Sequence, residues 1–261
     1  MMRTHGGKTR VGVILSAGGL RGAAHLGILR RLLRHGIPID LLVGVSAGAI
    51  IAAFYAAVGL SIEEMIEEAR HFRGRHIVLH GLTLRSPEFA KPFLRRFCGV
   101  IPRRLAQLES AGFDRLHHGV QGLGIVCHDL LSGRPVYFAT GRDHHVTLAE
   151  VVKASAAIPG VIPSRIVERG GHKFRLVDGG LSDSLPIEFA RNQSLGATHL
   201  IICDCRSLSK ELPSGDERVY IKPHIDDTAI LWSPGATLLK AVHQGEKAVT
   251  DTVLQKIYSW L

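Results

Sequence analysis

The sequence predicts an α/β protein with a mostly parallel central sheet, and three stretches carry that prediction. Residues 11–16 (VGVILS) and 198–203 (THLIIC) are short continuous apolar runs bounded by turn signals, as strands covered on both faces require. Residues 40–54 (DLLVGVSAGAIIAAF) join an apolar run of strand length to Gly44-Val45-Ser46-Ala47-Gly48 and then to a small-residue helical run. Strand, glycine loop, helix, strand, tight turn, helix is the opening of a βαβα chain, whose strands lie parallel through right-handed crossovers.

The tight turn has the form of a GxSxG nucleophile elbow. A serine on a sharp strand-to-helix turn has its hydroxyl thrust outward, and Gly44 and Gly48 leave room where a Cβ would collide. The helix that begins after Ser46 aims its free N–H groups and positive dipole end at the place where an oxyanion would form. Ser46 is therefore the candidate nucleophile.

Composition bounds the rest. A chain of 261 residues with 46% hydrophobic and 21% charged side chains is expected to form one globular domain, 1–261. Lys and Arg number 32 against 23 Asp and Glu, a net charge of +9 that suits an anionic surface and equally suits solvated helix faces. Cys98, Cys127, Cys203 and Cys205 have no disulfide-framework spacing, and one Cys-x-Cys pair falls short of a zinc site, so reduced thiols and no metal or cofactor are expected. The charged N-terminus leads into only a short apolar stretch, and no run reaches the length of a membrane span. The expectation is a cytoplasmic protein without a nucleic-acid partner, any contact with an anionic membrane being peripheral. No feature specifies an oligomeric state.

Taken in order, residues 17–22 (AGGLRG) form a glycine loop, followed by a helix from Ala23 to Leu33 that stops at Gly36 with Pro38 beyond. Two readings of the loop stand. It could cradle a phosphate, with Asp40 near the spacing of a dinucleotide fold's ribose acid, although its glycines do not spell GxGxxG. Alternatively, the N–H groups of Gly18 and Gly19 form an oxyanion hole for a carbonyl held over Ser46, which explains both motifs together. Residues 61–72 form a helix with the capping box Ser61 and Glu64. Residues 73–119, helical fragments punctuated by Pro87, Pro92, Pro102, Gly99 and Gly112, read as a cap or lid over the site.

Two strands, 120–128 and 135–140, flank a turn at Ser132-Gly133. Thr147 and Glu150 spell a second capping box for a helix over 148–157. Residues 165–168 and 173–177 flank Gly170-Gly171 as another hairpin, which runs straight into Asp178-Gly179-Gly180. A carboxylate at a strand end, followed by two glycines, can reach the elbow's side of the sheet and serve as base to the serine. Its competing role is an Asx turn or helix cap. A helix over 186–195 closed by Gly196, a short edge strand at 219–221 and an amphipathic C-terminal helix from Ala236 onward, within a helical segment 223–261, complete the chain.

Taken together, GGLRG at 18–22, GVSAG at 44–48, ASAAIPGVIP at 154–163 and DGG at 178–180 resemble the patatin-like phospholipases, over about residues 11–205. The resemblance implies a three-layer α/β/α sandwich and a serine–aspartate dyad that cleaves acyl esters of phospholipids or other lipids through an acyl-enzyme, without histidine or metal. Ser46 would be the nucleophile and Asp178 its base, supported by Gly179 and Gly180. Gly18, Gly19, Leu20, Arg21 and Gly22 would form the oxyanion loop, with Arg21 a structural or charge partner. Residues 154–163 would wall the nucleophile. Ala17 stands where the family often has glycine, and Ser184 near where it has asparagine; the Ser184 hydroxyl can still hydrogen-bond. A Ser-His-Asp triad of α/β-hydrolase type is a competing reading, although only 45 residues precede Ser46. A noncatalytic nucleotide-binding or anionic-membrane-binding module is another.

Overall fold

The computed structural model describes residues 9–207, 209–225 and 235–261. Eight strands form one sheet: β1 (Val11–Leu15), β2 (Leu41–Val45), β3 (Gly122–Asp129), β4 (Arg134–Ala139), β5 (Arg165–Arg169), β6 (His172–Asp178), β7 (His199–Cys203) and β8 (Arg218–Ile221). Their order is β5-β6-β3-β2-β1-β7-β8, with β4 also on β3. From β3 to β8 the pairs are parallel, while β4, β5 and β6 join by antiparallel pairing.

The uninterrupted apolar runs are explained by burial on both faces. Val13, Leu15, Leu42, Ile125 and Ile201 pack into one core, while their strand neighbours Ile14, Val43, Val126 and Ile202 pack into a second. Helices α1 (Ala24–Arg34), α2 (Ala47–Ala53), α3 (Ile62–His71) and α7 (Leu148–Ser155) cover the larger face. The smaller face is covered around Phe189 and Ala190 of α8 (Ile187–Arg191). The result is a three-layer α/β/α sandwich, as the resemblance implied.

Between α3 and β3 the chain forms α4 (Gly74–Arg85), a 3-10 turn at Glu88–Ala90, α5 (Lys91–Arg95) and α6 (Ile101–Glu109), the helical fragments expected there. The Ser61/Glu64 capping box is present. The one predicted at Thr147 is not: its hydroxyl makes no cap bond, and Glu150 pairs instead with Lys153 and Arg165. The helix expected over 186–195 ends at Arg191, because the Asn192 side chain accepts the N–H groups of Ser194 and Leu195 and turns the chain.

The single C-terminal helix is two, α9 (Gly235–Ala248) and α10 (Asp251–Tyr258), since Thr250 caps a new helix by accepting the Val253 N–H. Residues 226–234 of that segment lie outside the described residues. Helix α9 packs on α1 at backbone distance: a Cβ on Gly27 would fall 1.8 Å from the Val242 carbonyl oxygen. Among the described residues, no helix is long and apolar enough to cross a membrane.

Candidate active site

The register of β3 explains why two residues 132 positions apart meet. Strand β4 occupies one edge of β3 over Gly124–Asp129, so β2 and β6 share the other. They run toward one another along it. Val45 stands opposite Val126 and Asp178 opposite the next residue, Cys127, so the two strands end head to head. Ser46 follows Val45 directly, and its Oγ donates to Asp178 Oδ2 at 2.6 Å.

The elbow holds Ser46 in a conformation that L-residues rarely adopt, φ 55° and ψ −118°. Such backbone costs on the order of 1–3 kcal/mol and persists only when its surroundings enforce it. Gly48 is part of the enforcement, because a Cβ there would lie 2.1 Å from the Leu15 carbonyl oxygen. Gly44 is likewise pressed against Gly48 and Ala49.

Ser155 supplies a further brace that the sequence reading did not single out. Its hydroxyl donates to the Val126 carbonyl at 2.6 Å and accepts the Ser46 N–H at 3.0 Å, and it is fully buried. Two residues on, the Ala157 carbonyl accepts the Asp178 N–H at 3.1 Å. One short segment thus holds the backbones of both Ser46 and Asp178. The available signal was a lone serine among the small apolar residues of ASAAIPG, on a stretch already read as a wall.

The aspartate loop is self-supporting. Asp178 Oδ1 accepts the Gly180 N–H at 2.8 Å, and the Ser184 hydroxyl donates to the Gly180 carbonyl at 2.9 Å. Ser184 therefore bonds within the loop, as its hydroxyl allowed. Gly179 packs against the Val126 carbonyl, and Gly180 lies against Ala17. Dehydration raises the Asp178 carboxyl above its ordinary value, opposed by the hydrogen bonds from Ser46 and Gly180. A carboxylate raised in this way is a stronger base than a solvated one.

A cavity of about 300 Å³ opens over Ser46. Gly19, Leu20 and Gly22 line it from the glycine loop, and Ile50, Phe54 and Met65 from the helices. Gly18 sits one residue back, against Cys205, and the Arg21 guanidinium donates to the carbonyls of Cys205 and Ile225 at 3.2 Å each. Arg21 is thus a structural tie. No hydrogen bond among the described residues occupies the N–H groups of Gly18, Gly19 or Leu20. Among the lining residues the cations Arg104, Lys153 and Arg165 are paired with Glu68, Glu109 and Glu150, and most of the remaining lining is apolar.

No histidine ring hydrogen-bonds Ser46 or Asp178 among the described residues. His25 is fully buried, with Nε2 3.0 Å from the Ser16 carbonyl and Nδ1 3.4 Å from Cys205 Sγ. Burial pushes it down to about 4, so it is neutral at pH 7 and donates from Nε2. Asp40 precedes β2 and accepts the Val11 N–H at 2.7 Å, at the amino ends of the parallel strands. The glycine loop lies at their carboxyl ends, so Asp40 cannot serve a dinucleotide bound there. All four cysteines are free and buried, and no cluster of three metal-ligating side chains exists among the described residues.

Comparison with known proteins agrees with this architecture. Neuropathy target esterase sws of Drosophila melanogaster is 29% identical over 206 residues, covering 76% of this chain and 13% of that one. Lysophospholipase nte1 of Aspergillus fumigatus is 28% identical over 207 residues, 78% of this chain and 12% of its own. The chain thus spans about an eighth of the length of these relatives. VipD of Legionella pneumophila superposes with a TM-score of 0.56 at 14% identity, over 97% of this chain and 67% of that one, a likeness of fold alone. A family model, patatin-like phospholipase, matches residues 13–191, the stretch that holds the glycine loop, the elbow and the aspartate loop, and on that match the chain belongs to the patatin-like phospholipase family.

Proposed function

We propose that this chain is a serine hydrolase of phospholipid or other lipid acyl esters, of phospholipase A or lysophospholipase type, working through a Ser46–Asp178 dyad. The observation that carries the reading is the 2.6 Å hydrogen bond from Ser46 to Asp178 at the floor of an apolar cavity. Names of the relatives support the substrate class.

Asp178 takes the Ser46 proton as Oγ attacks the ester carbonyl, and the tetrahedral oxyanion rests on the unoccupied N–H groups of the 18–20 stretch. The C–O bond to the alcohol then breaks, and Asp178 returns the proton to the leaving oxygen. Water attacks the acyl-Ser46 ester with Asp178 again as base. The fatty acid departs and Ser46 regains its proton. An acyl chain suits the cavity because its transfer from water onto a mostly apolar lining buries hydrocarbon surface.

In this reading residues 1–261 act as one domain, with 73–119 as the cap that completes the cavity. A Ser-His-Asp triad lacks support, because the hydrogen-bonding position beside Ser46 is taken by Asp178 itself. Turnover of a short-chain nitrophenyl ester by the Ser46→Ala protein tests the assignment. Loss of turnover with the fold intact supports it; full retention refutes it.

A further inference from the structure

Four of the most exposed large apolar side chains fall within residues 82–97: Leu82 at 52% exposure, Phe89 at 87%, Phe93 at 61% and Phe97 at 50%. Phe93 and Phe97 stack edge to face with ring centroids 5.4 Å apart, so they stand as one ridge on α5 and the turn after it. A contiguous cluster of apolar rings left in water is the mark of a surface that meets a partner.

The charge around the ridge says what that partner is. Residues 73–104 hold eight Lys and Arg and a single acid, Glu88, a far steeper excess than in the whole chain. Glu88 is paired with Lys91. Arg95 and Arg96, both exposed beside the rings, have no carboxylate partner among the described residues. Two copies of this face would oppose like charges, so a second copy of the chain is a poor occupant. Aromatic rings flanked by unpaired arginines match a leaflet whose surface is anionic and whose interior is apolar.

The ridge itself does not line the cavity but lies between two helices that do. Its neighbours α4 and α6 contribute Ile77, His80 and Ile101 to the lining, and Arg85 donates to the carbonyls of Val161 and Gly160, between the lining residues Ile158 and Ile162. We propose that Phe89, Phe93 and Phe97 insert into an anionic phospholipid bilayer, with Arg95 and Arg96 on its head groups, and so set the cavity mouth against the leaflet. What the docked enzyme draws from the leaflet rests on the hydrolase reading; the docking itself does not.

Sedimentation with phosphatidylcholine vesicles, with and without phosphatidylserine, tests this, using the Ser46→Ala protein so that no lipid is consumed. Binding should require phosphatidylserine and weaken as salt is raised. Phe89→Ser/Phe93→Ser should lower the vesicle partition coefficient by tenfold or more, on the order of what two buried rings supply. Arg95→Glu/Arg96→Glu should lower it by about fivefold or more per residue. With Ser46 restored, Phe89→Ser/Phe93→Ser should melt normally and turn over a soluble nitrophenyl ester at the parental rate. Equal vesicle binding by the Phe variants would overturn the proposal. So would a dimer in solution that those substitutions dissolve while vesicles go unbound. Vesicle binding by a wild-type protein that hydrolyses no ester would retire the hydrolase reading and leave the docking surface standing.

Discussion

Ser155 holds the Ser46 amide at 3.0 Å from 109 positions away in the chain, and its hydroxyl donates a hydrogen bond to the Val126 carbonyl on the strand between β2 and β4. Because Val126 is also the residue opposite Val45, one hydroxyl ties the elbow to the register that brings Asp178 to it. Removing that hydroxyl leaves two buried backbone groups unpaired. Ser155→Ala is therefore expected to cost about 2 kcal/mol in urea unfolding and to lower kcat with little change in KM. A variant of wild-type stability and rate would show the brace to be idle.

The Ser46 backbone stores strain that its hydroxyl does not relieve. Ser46→Ala and Ser46→Gly both lose the hydroxyl and are expected to lose turnover, but only glycine adopts φ 55° freely. The glycine variant should be the more stable of the two by about 1 kcal/mol in chemical denaturation. Equal stabilities would mean that the elbow is unstrained.

Gly22 and Ala47 set the gap between the glycine loop and the elbow. A Cβ on Gly22 would lie 2.5 Å from the Ala47 Cβ, so Gly22→Ala must push the two apart. Because the loss of one oxyanion donor costs on the order of a hundredfold in kcat, a drop of that size is expected, with the melting temperature lowered only modestly. Steady-state kinetics on a soluble ester measures it.

Acid should unfold the protein partly through His25. Its value is about 4 in the fold against 6.5 when solvated, so its stabilising contribution is complete above 6.5 and is lost as pH falls through 4. The whole effect is on the order of 3 kcal/mol. Thermal melts of the wild type between pH 7 and 4 should fall more steeply than those of His25→Gln. Asp178 has the opposite sign. Because its folded value is raised, the stability it contributes is present below 3.8 and lost as pH rises through the raised value. Asp178→Asn should accordingly be no less stable than wild type at neutral pH.

The sequence made the opening of the fold legible because every level agreed there: β1 and β2 are continuous apolar runs, and the loop and elbow use glycines for steric reasons that any chain would share. The approach of Asp178 was legible only as a position at a strand end. What brings it to Ser46 is the shared edge of β3, a property of pairing between distant segments that no local pattern encodes. Ser155 escaped for a related reason, since its partners are backbone atoms 29 and 109 positions away. Thr147 misled because Lys153 and Arg165, one of them distant in sequence, compete for Glu150. The break between α9 and α10 was written at Thr250, a capping residue inside an apolar period that otherwise reads as continuous.

The proposed Ser46–Asp178 dyad is tested most directly by a fluorophosphonate probe with peptide mapping, on wild type, Ser46→Ala and Asp178→Asn. A single labelled site is expected at Ser46, none in Ser46→Ala, and labelling slowed by a hundredfold or more in Asp178→Asn, on the order expected for loss of a general base. Labelling of Asp178→Asn at the wild-type rate, or of a serine other than Ser46, would contradict it.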